Sequence, residues 1–440
     1  MRRTIDIDLD RWKDDPFRLP LIIRGARQVG KSYSVMALGK RAFLSTATVN
    51  FEKREEFCRC FDTLDPRQIV RNLEVLLGQP IQSGKTLLFL DEVQICPRAI
   101  TALRYFKEEM PELHVIAAGS LLEFVINDQN FSFPVGKVQF LYMRPLSFVE
   151  FLEATAAHTL VDYLQESQID RPPPEVIHNE FLNHIRSYTL LGGMPEVVRS
   201  FIETTSYLKS REIQNQLLQA YTQDFGKYST RAQSKTLQRL FERSPQFVGY
   251  QVKYSKIDPE SSNPAREYKH AIQLLTNAGL ISPIYMSSAN GIPLEAQVNE
   301  KKFKLLFLDV GLFQAALNVE PNVVLREDEV ISNRGTLAEQ LVGQELIAYM
   351  DPTRDAKLFF WEREKAHSHA EVDYVTAIEG KIVPIEVKAG AIGHLKSLRQ
   401  FMIEKKINYG VKISESGLGK RDQILSIPFY LISQLIRFVR

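Results

Sequence analysis

The chain has 440 residues, 44% of them hydrophobic and 25% charged, which is too apolar for a disordered chain and too long for one simple core. Its formal net charge of +2 gives no reason by itself to expect a nucleic-acid partner, and the three cysteines, Cys58, Cys60 and Cys96, supply neither a disulfide framework nor two pairs at zinc spacing. A cytoplasmic, reducing setting with no membrane span is the expectation, because neither a charged-then-apolar leader nor an uninterrupted apolar run of about 18 residues is read.

Through residues 1–155 short apolar runs alternate with helical stretches: PLIIRG, SYSVMALGKRAF, TVNFE, LLFLDEV, VIAAGS and VQFLYM. That rhythm predicts an α/β unit with a parallel sheet and crossover helices. RPPP at Arg171 cannot lie inside a helix, and helical patterns follow it, so residues 156–228 read as a helical lid with LGGMPEVV as a turn. Residues 229–330 give two helices, SKTLQRLFERS and NPAREYKHAIQLLTNAGL, the second opened by Asn263 and Pro264. ISPIYM and IPLEAQV then flank Asn290-Gly291, which suggests a winged-helix module with a connector. Residues 331–440 run helix, three strands, helix, strand.

Gly25 to Ser32 spell GARQVGKS, which matches G-x-x-x-x-G-K-[ST] between a strand and a helix, the setting of a phosphate-binding loop. Gly25, Ala26, Arg27, Gln28, Val29, Gly30, Lys31, Ser32 and Tyr33 are therefore the expected contacts of ATP. Backbone N–H groups and the helix N-terminus would cradle the phosphates, Lys31 would reach the β/γ oxygens, and Ser32 would bind Mg²⁺. In LLFLDE four apolar residues carry Asp91 to a strand end, where it can hold Mg²⁺ through water. Glu92 then stands where a base could polarise the attacking water. Ser120, closing VIAAGS, is either a second water-orienting group or a turn residue.

Two later acidic strands raise a different chemistry. Alternate residues of a strand share a face, so Glu371 and Asp373 point together, as do Glu386 and Lys388, with Val372 and Val387 opposite. Carboxylates that gather a divalent metal, beside an amine that positions a nucleophile, are what phosphodiester hydrolysis requires. Glu339 on the preceding helix would complete the metal site, and Gln400 on the following helix would meet phosphate. An exposed cross-strand ion pair is the competing explanation. His367 and His369 read as a polar turn, and Phe359, Phe360 and Trp361 as core. The helix before the predicted hairpin should bury Ala271, Leu274, Leu275 and Ala278 and present Arg266, Lys269, His270 and Gln273. Nine Lys/Arg against four Asp/Glu between Gly226 and His270 make DNA a candidate partner of that face.

Taken in order, RGARQVGKS, LLFLDEVQ, AAGSLLEF, FPVGKV, PLSFVEFL, LGGMPEVV, LDVGL, RGTLAEQ and AEVDYV with PIEVKAG resemble the prokaryotic AAA-type ATPases whose C-terminal part is called DUF4143, over nearly the whole chain. The resemblance implies ATP hydrolysis and a homo-oligomer with shared active sites. One departure is Lys137, where the family pattern suggests arginine. If that position reaches a neighbour's nucleotide, lysine offers a point charge without the planar fork, and Arg144 is the other candidate. Asp373, twelve residues, then Glu386-x-Lys388 resembles the PD-(D/E)xK nuclease superfamily, with its α-β-β-β-α-β core. That likeness implies metal ligands at Asp373 and Glu386, a lysine at Lys388 and often a helix acid at Glu339. The expectation is an ATPase coupled to a DNA-binding, nuclease-like domain; the alternative is a nucleotide-dependent switch or scaffold with an inactive nuclease fold.

Overall fold

The computed structural model describes residues 1–119, 134, 136–228, 231–258, 265–320, 334–364, 370–390 and 394–440. Ser120, Asn263, Pro264, His367 and His369 lie outside them. Five strands form the first sheet: β1 (Leu21–Arg24), β2 (Ser45–Asn50), β3 (Thr86–Asp91), β4 (His114–Ala118) and β5 (Gln139–Tyr142), in the order β2-β3-β4-β1-β5 with every pairing parallel. Both faces are covered, because alternate residues of each strand enter different cores. Leu21, Ile23, Leu87 and Phe89 pack on one side, and Ile22, Leu88, Leu90 and Val115 on the other. Among the described residues no helix is long and apolar enough to cross a membrane.

Helices His158–Glu166, Glu175–Leu191, Pro195–Thr204 and Tyr207–Tyr228 fill the predicted lid region. The Gly192-Gly193 turn between two of them is a place of close approach. A Cβ on Gly193 would lie 2.0 Å from the Leu146 carbonyl oxygen, and one on Gly192 2.0 Å from Asp309 Oδ1. Helices Arg231–Arg243 and Ala265–Asn277 follow, then a hairpin of β6 (Ile281–Ser287) and β7 (Val298–Phe307).

That hairpin differs from the expectation in two ways. Its second arm starts at Val298 rather than at Ile292, because Pro293 has no N–H to donate and Leu294–Gln297 coils into a 3-10 turn. It is also paired onward, β6 lying parallel to β8 (Leu358–Glu362). The second sheet thus runs β12-β13-β11-β10-β9-β8-β6-β7, where β9 is Glu371–Ile378, β10 Lys381–Val387, β11 Gly410–Ser414, β12 Gly419–Arg421 and β13 Ile424–Pro428. One sheet spans both sides of residue 330, where the sequence suggested a module boundary. Pairing with β8 removes an edge that would otherwise expose the backbone of an apolar strand. From Arg334 the element order is helix, three strands, helix Lys396–Lys405 and strand, as the pattern predicts, followed by β12 and β13, which it did not.

Candidate functional site

The loop after β1 is shaped by its glycines. Gly25 has φ +144° and passes so close to Met143 that an added Cβ would lie 2.2 Å from its carbonyl oxygen, and Gly30 turns into helix Lys31–Ala42 at φ +101°. Lys31 is buried, with Nζ donating to the carbonyls of Gly25 at 2.9 Å and Ala26 at 2.8 Å. Burial brings its pKa down to about 8, against the pull of Glu92 and Asp91. Ser32 Oγ donates to Asp91 Oδ1 at 3.0 Å, and Asn50 Nδ2 donates to Asp91 Oδ2 at 3.0 Å from the neighbouring strand end. Glu92 sits in the left-handed region at φ +54°, and its Oε2 accepts from Gln94 Nε2 at 2.7 Å. The other amide atom of Gln94 is aimed at the end of β4, where a Cβ on Gly119 would lie 2.3 Å from Gln94 Oε1. Tyr33 is exposed, its hydroxyl accepting from the Met1 ammonium at 3.1 Å.

Residues far away in sequence hold this loop. Arg3, buried, donates to Val29 O at 2.8 Å, Arg144 O at 2.7 Å and Glu150 Oε1 at 3.0 Å. Arg27 pairs with both oxygens of Asp224, at 2.8 and 2.6 Å, while Tyr221 OH donates to Arg27 O at 2.8 Å. Both partners lie on helix Tyr207–Tyr228, so that helix grips the loop directly. Gly279, just past helix Ala265–Asn277, reaches the same loop, an added Cβ falling 3.3 Å from Ala26 N. That helix buries Ala271, Leu274, Leu275 and Ala278 and exposes Arg266, Lys269, His270 and Gln273, as its periodicity requires. The two cations considered for a neighbour's nucleotide are engaged within their own chain, Lys137 with Glu108 at 3.1 Å and Arg144 with Asp355 at 3.5 Å.

At the second sheet, antiparallel β9 and β10 pair with Ile385 opposite Tyr374, which brings Glu386 beside Asp373 one residue on. Asp373 Oδ2 accepts from Val387 N at 2.7 Å, and Lys388 Nζ donates to Glu386 Oε1 at 2.7 Å. Burial first, and then mutual repulsion with Asp373, holds Glu339 and Glu386 above the usual carboxylate range, and burial raises Asp373 as well. Glu386 Oε2 is buried without a hydrogen-bond partner. The structure brings Glu339, Glu371, Asp373, Glu386 and Lys388 together, whereas Gln400 donates to Glu404 on its own helix at 3.1 Å. It also adds residues that the motif did not name. Lys304 of β7 enters the cluster at 2.5 Å from Glu371 Oε1 and 3.3 Å from Glu339 Oε2, and Gln251 Nε2 donates to Glu371 Oε2 at 3.4 Å. Among the described residues no group of three or more His, Cys, Asp and Glu side chains forms a ready metal cage. Phe359, Phe360 and Trp361 are buried core.

A parallel sheet whose interior strand β1 ends in a glycine-bounded loop, with a serine and two acids beside it, defines an α/β protein of the P-loop NTPase class. Residues 18–152 match an AAA domain, residues 334–430 match a domain of unknown function, DUF4143, and residues 182–323 match another, DUF8612, so the chain carries an AAA domain joined to a DUF4143 domain. No curated protein matches the chain. Similar solved structures include a signal transduction ATPase with numerous domains (STAND) protein with a tetratricopeptide repeat sensor from Pyrococcus horikoshii. It is 11% identical with a TM-score of 0.27, over 78% of this chain and 46% of that one. Another is the ORC2 protein of Aeropyrum pernix in ADPNP–ADP complexes, 12% identical with a TM-score of 0.23, over 72% of this chain and 92% of that one.

Proposed function

We propose that the chain binds and hydrolyses Mg-ATP and passes the nucleotide state to its C-terminal domain. The observation that carries this reading is the meeting of Lys31, Ser32, Asp91 and Glu92 at the carboxyl ends of β1 and β3, the place where open parallel sheets bind ligands. Ser32 Oγ and Asp91 Oδ1, 3.0 Å apart, are the oxygens that would hold Mg²⁺. A magnesium ion held there would neutralise charge developing on the transferred phosphate.

The chain's own groups supply the rest. Lys31 exchanges its bonds to the Gly25 and Ala26 carbonyls for phosphate oxygens, while the loop N–H groups and the helix N-terminus take the remaining charge. Glu92, held by Gln94, orients the attacking water and accepts its proton. Any shift of the loop is felt by Asp224 and Tyr221 through Arg27, and by helix Ala265–Asn277 through Gly279.

The output end is read as DNA-directed. Arg266 and Lys269 supply phosphate contacts. Glu339, Asp373 and Glu386 are proposed metal ligands, with Lys388 beside the scissile phosphate; the buried, partnerless Glu386 Oε2 supports an electrophile there. Self-association that places Lys137 or Arg144 against another copy's nucleotide, and residence in the cytoplasm, belong to the same reading. A second reading, a nucleotide-driven switch whose nuclease-like fold does not cut, is favoured by Lys304, which already neutralises part of the cluster. Metal-dependent cleavage of DNA and RNA, with and without ATP, tests the two: ATP-stimulated cutting supports the first, whereas ATP hydrolysis without cutting on any substrate supports the second.

A further inference from the structure

Lys304 is the most buried charge in the C-terminal cluster, its side chain only 1% exposed. An ammonium removed from water to that degree costs several kcal/mol unless it is well paired. Two carboxylates supply that pairing for Lys304. Its Nζ lies 2.5 Å from Glu371 Oε1, 3.3 Å from Glu339 Oε2 and 5.4 Å from the centre of the Phe360 ring, so the charge is fixed by oxygens on one side and an aromatic face on another.

A divalent cation shared by Glu339 and Asp373 needs the Glu339 oxygen that Lys304 already holds at 3.3 Å. The two cations compete, because a doubly charged ion and a desolvated ammonium repel each other across that shared carboxylate. We infer that Lys304 is the resident cation of the cluster, a positioning residue that excludes divalent metal until its side chain withdraws. The inference rests on the proposed metal-ligand role of Glu339, Asp373 and Glu386. A second observation points the same way. The lysine satisfies the Glu339–Glu371 side, while Glu386 Oε2, in a residue only 5% exposed, is left without a donor.

The strand that carries Lys304 also has a handle. Five residues on, Asp309 accepts the Gly193 N–H at 2.6 Å, which ties the end of β7 to the turn between two lid helices. A displacement of that turn would be carried to the strand that seats the ammonium.

Manganese titration of the full chain without nucleotide, by calorimetry and by thermal shift, tests the inference. Lys304→Gln should bind Mn²⁺ about tenfold to a hundredfold more tightly than the wild type, the range by which groups around a metal's ligands change affinity. Lys304→Arg should behave like the wild type, and adding Asp373→Asn to Lys304→Gln should remove the gain. Circular dichroism and a cooperative thermal unfolding transition report whether each variant is folded. Should Lys304→Gln not fold, Lys304→Met, which keeps the apolar stem without the charge and leaves Glu339, Asp373 and Glu386 intact, should also raise Mn²⁺ affinity. Equal, measurable affinity in the wild type and both neutralising variants would overturn the role of Lys304 and leave the metal ligands standing. No Mn²⁺ binding by any variant would overturn both.

Discussion

Glu345 accepts the backbone N–H of Phe148 with both carboxylate oxygens, at 3.1 Å each, so the helix that carries Glu339 into the C-terminal cluster is pinned six residues later to the nucleotide-binding unit. Tyr188 OH at 2.9 Å and Tyr349 OH at 2.8 Å donate to the same carboxylate. Helix Arg334–Ala348 therefore bridges the two sites, with Gln340 and Gln344 bonded to Phe307 and Val310 between them.

Glu345→Ala leaves the buried Phe148 N–H and the Tyr349 phenol without their acceptor, while Tyr188 OH keeps the Leu146 carbonyl at 2.6 Å, so stability should fall by roughly 2–4 kcal/mol, read as the midpoint of urea unfolding. Burial pushes the Glu345 carboxyl up to about 7, against the donated hydrogen bonds. An unfolded glutamate titrates near 4.5, so between those values the folded state keeps a proton that the unfolded state has lost. Stability from this group is complete below the lower value and falls as pH rises through the upper one, by on the order of 3 kcal/mol. Glu345→Gln should flatten that part of the stability–pH curve.

At the nucleotide site, Lys31→Ala should abolish ATP hydrolysis. Glu92→Gln should retain nucleotide binding but slow turnover at least about a hundredfold, the usual scale for a lost base or water-positioning group. Gln94→Ala, which only frees Glu92, should cost less, roughly tenfold in kcat with little change in KM. Steady-state phosphate release and binding of a fluorescent nucleotide separate these outcomes. Full hydrolysis by the Lys31 variant would refute the loop assignment.

DNA affinity should fall steeply with salt if the face of helix Ala265–Asn277 meets a phosphate backbone, because bound cations release counterions. Replacing Arg266 and Lys269 with alanine should weaken binding and flatten the salt slope by about one per lost contact. Lys269 is only loosely held by Glu300, at 3.8 Å, so little internal structure is disturbed. Undetectable binding at low salt, or an unchanged slope in the double variant, would leave the helix a packing element.

The parts legible in the sequence were the local ones. The loop Gly25–Ser32, the acids closing β3, the exposed and buried faces of helix Ala265–Asn277 and the alternation of β9 and β10 all depend on neighbours within a few residues. Partners fixed by tertiary pairing were not legible. Arg27 and Asp224 lie 197 residues apart, and Arg3 and Glu150 lie 147 apart, with nothing local to join them. Lys304 did leave a trace, a lysine in phase with Leu306 inside the apolar run FKLLF, where strand alternation forces its charge into the interior. The pairing of β6 with β8 was hidden for a different reason: a hairpin reads alike whether its outer edge faces solvent or another strand.

Glu386 distinguishes a working site from a merely acidic one. Its Oε2 is buried with no donor, and its carboxyl is raised to about 7, by burial first and Asp373 next, against the hydrogen bond from Lys388. Near pH 8 the folded protein must therefore keep a charge that both surroundings oppose. Glu386→Gln removes that charge and should stabilise the fold by roughly 1–2 kcal/mol at that pH. At about pH 5 the native carboxyl already holds its proton, so the gain should vanish. The same substitution should abolish any Mg²⁺- or Mn²⁺-dependent cleavage and leave ATP hydrolysis nearly intact, since Asp91 and Glu92 belong to a different sheet. Asp373→Asn should do likewise. Lys388→Ala should lower cleavage yet keep metal binding, because the amine acts on water and phosphate rather than on the ion. Glu371→Gln should affect cleavage least, its carboxylate being engaged by Lys304 and Gln251. A stabilised Glu386→Gln protein from a parent that neither binds metal nor cuts any substrate would mean that the acidic strands serve only as a folded platform for the ATP-driven part.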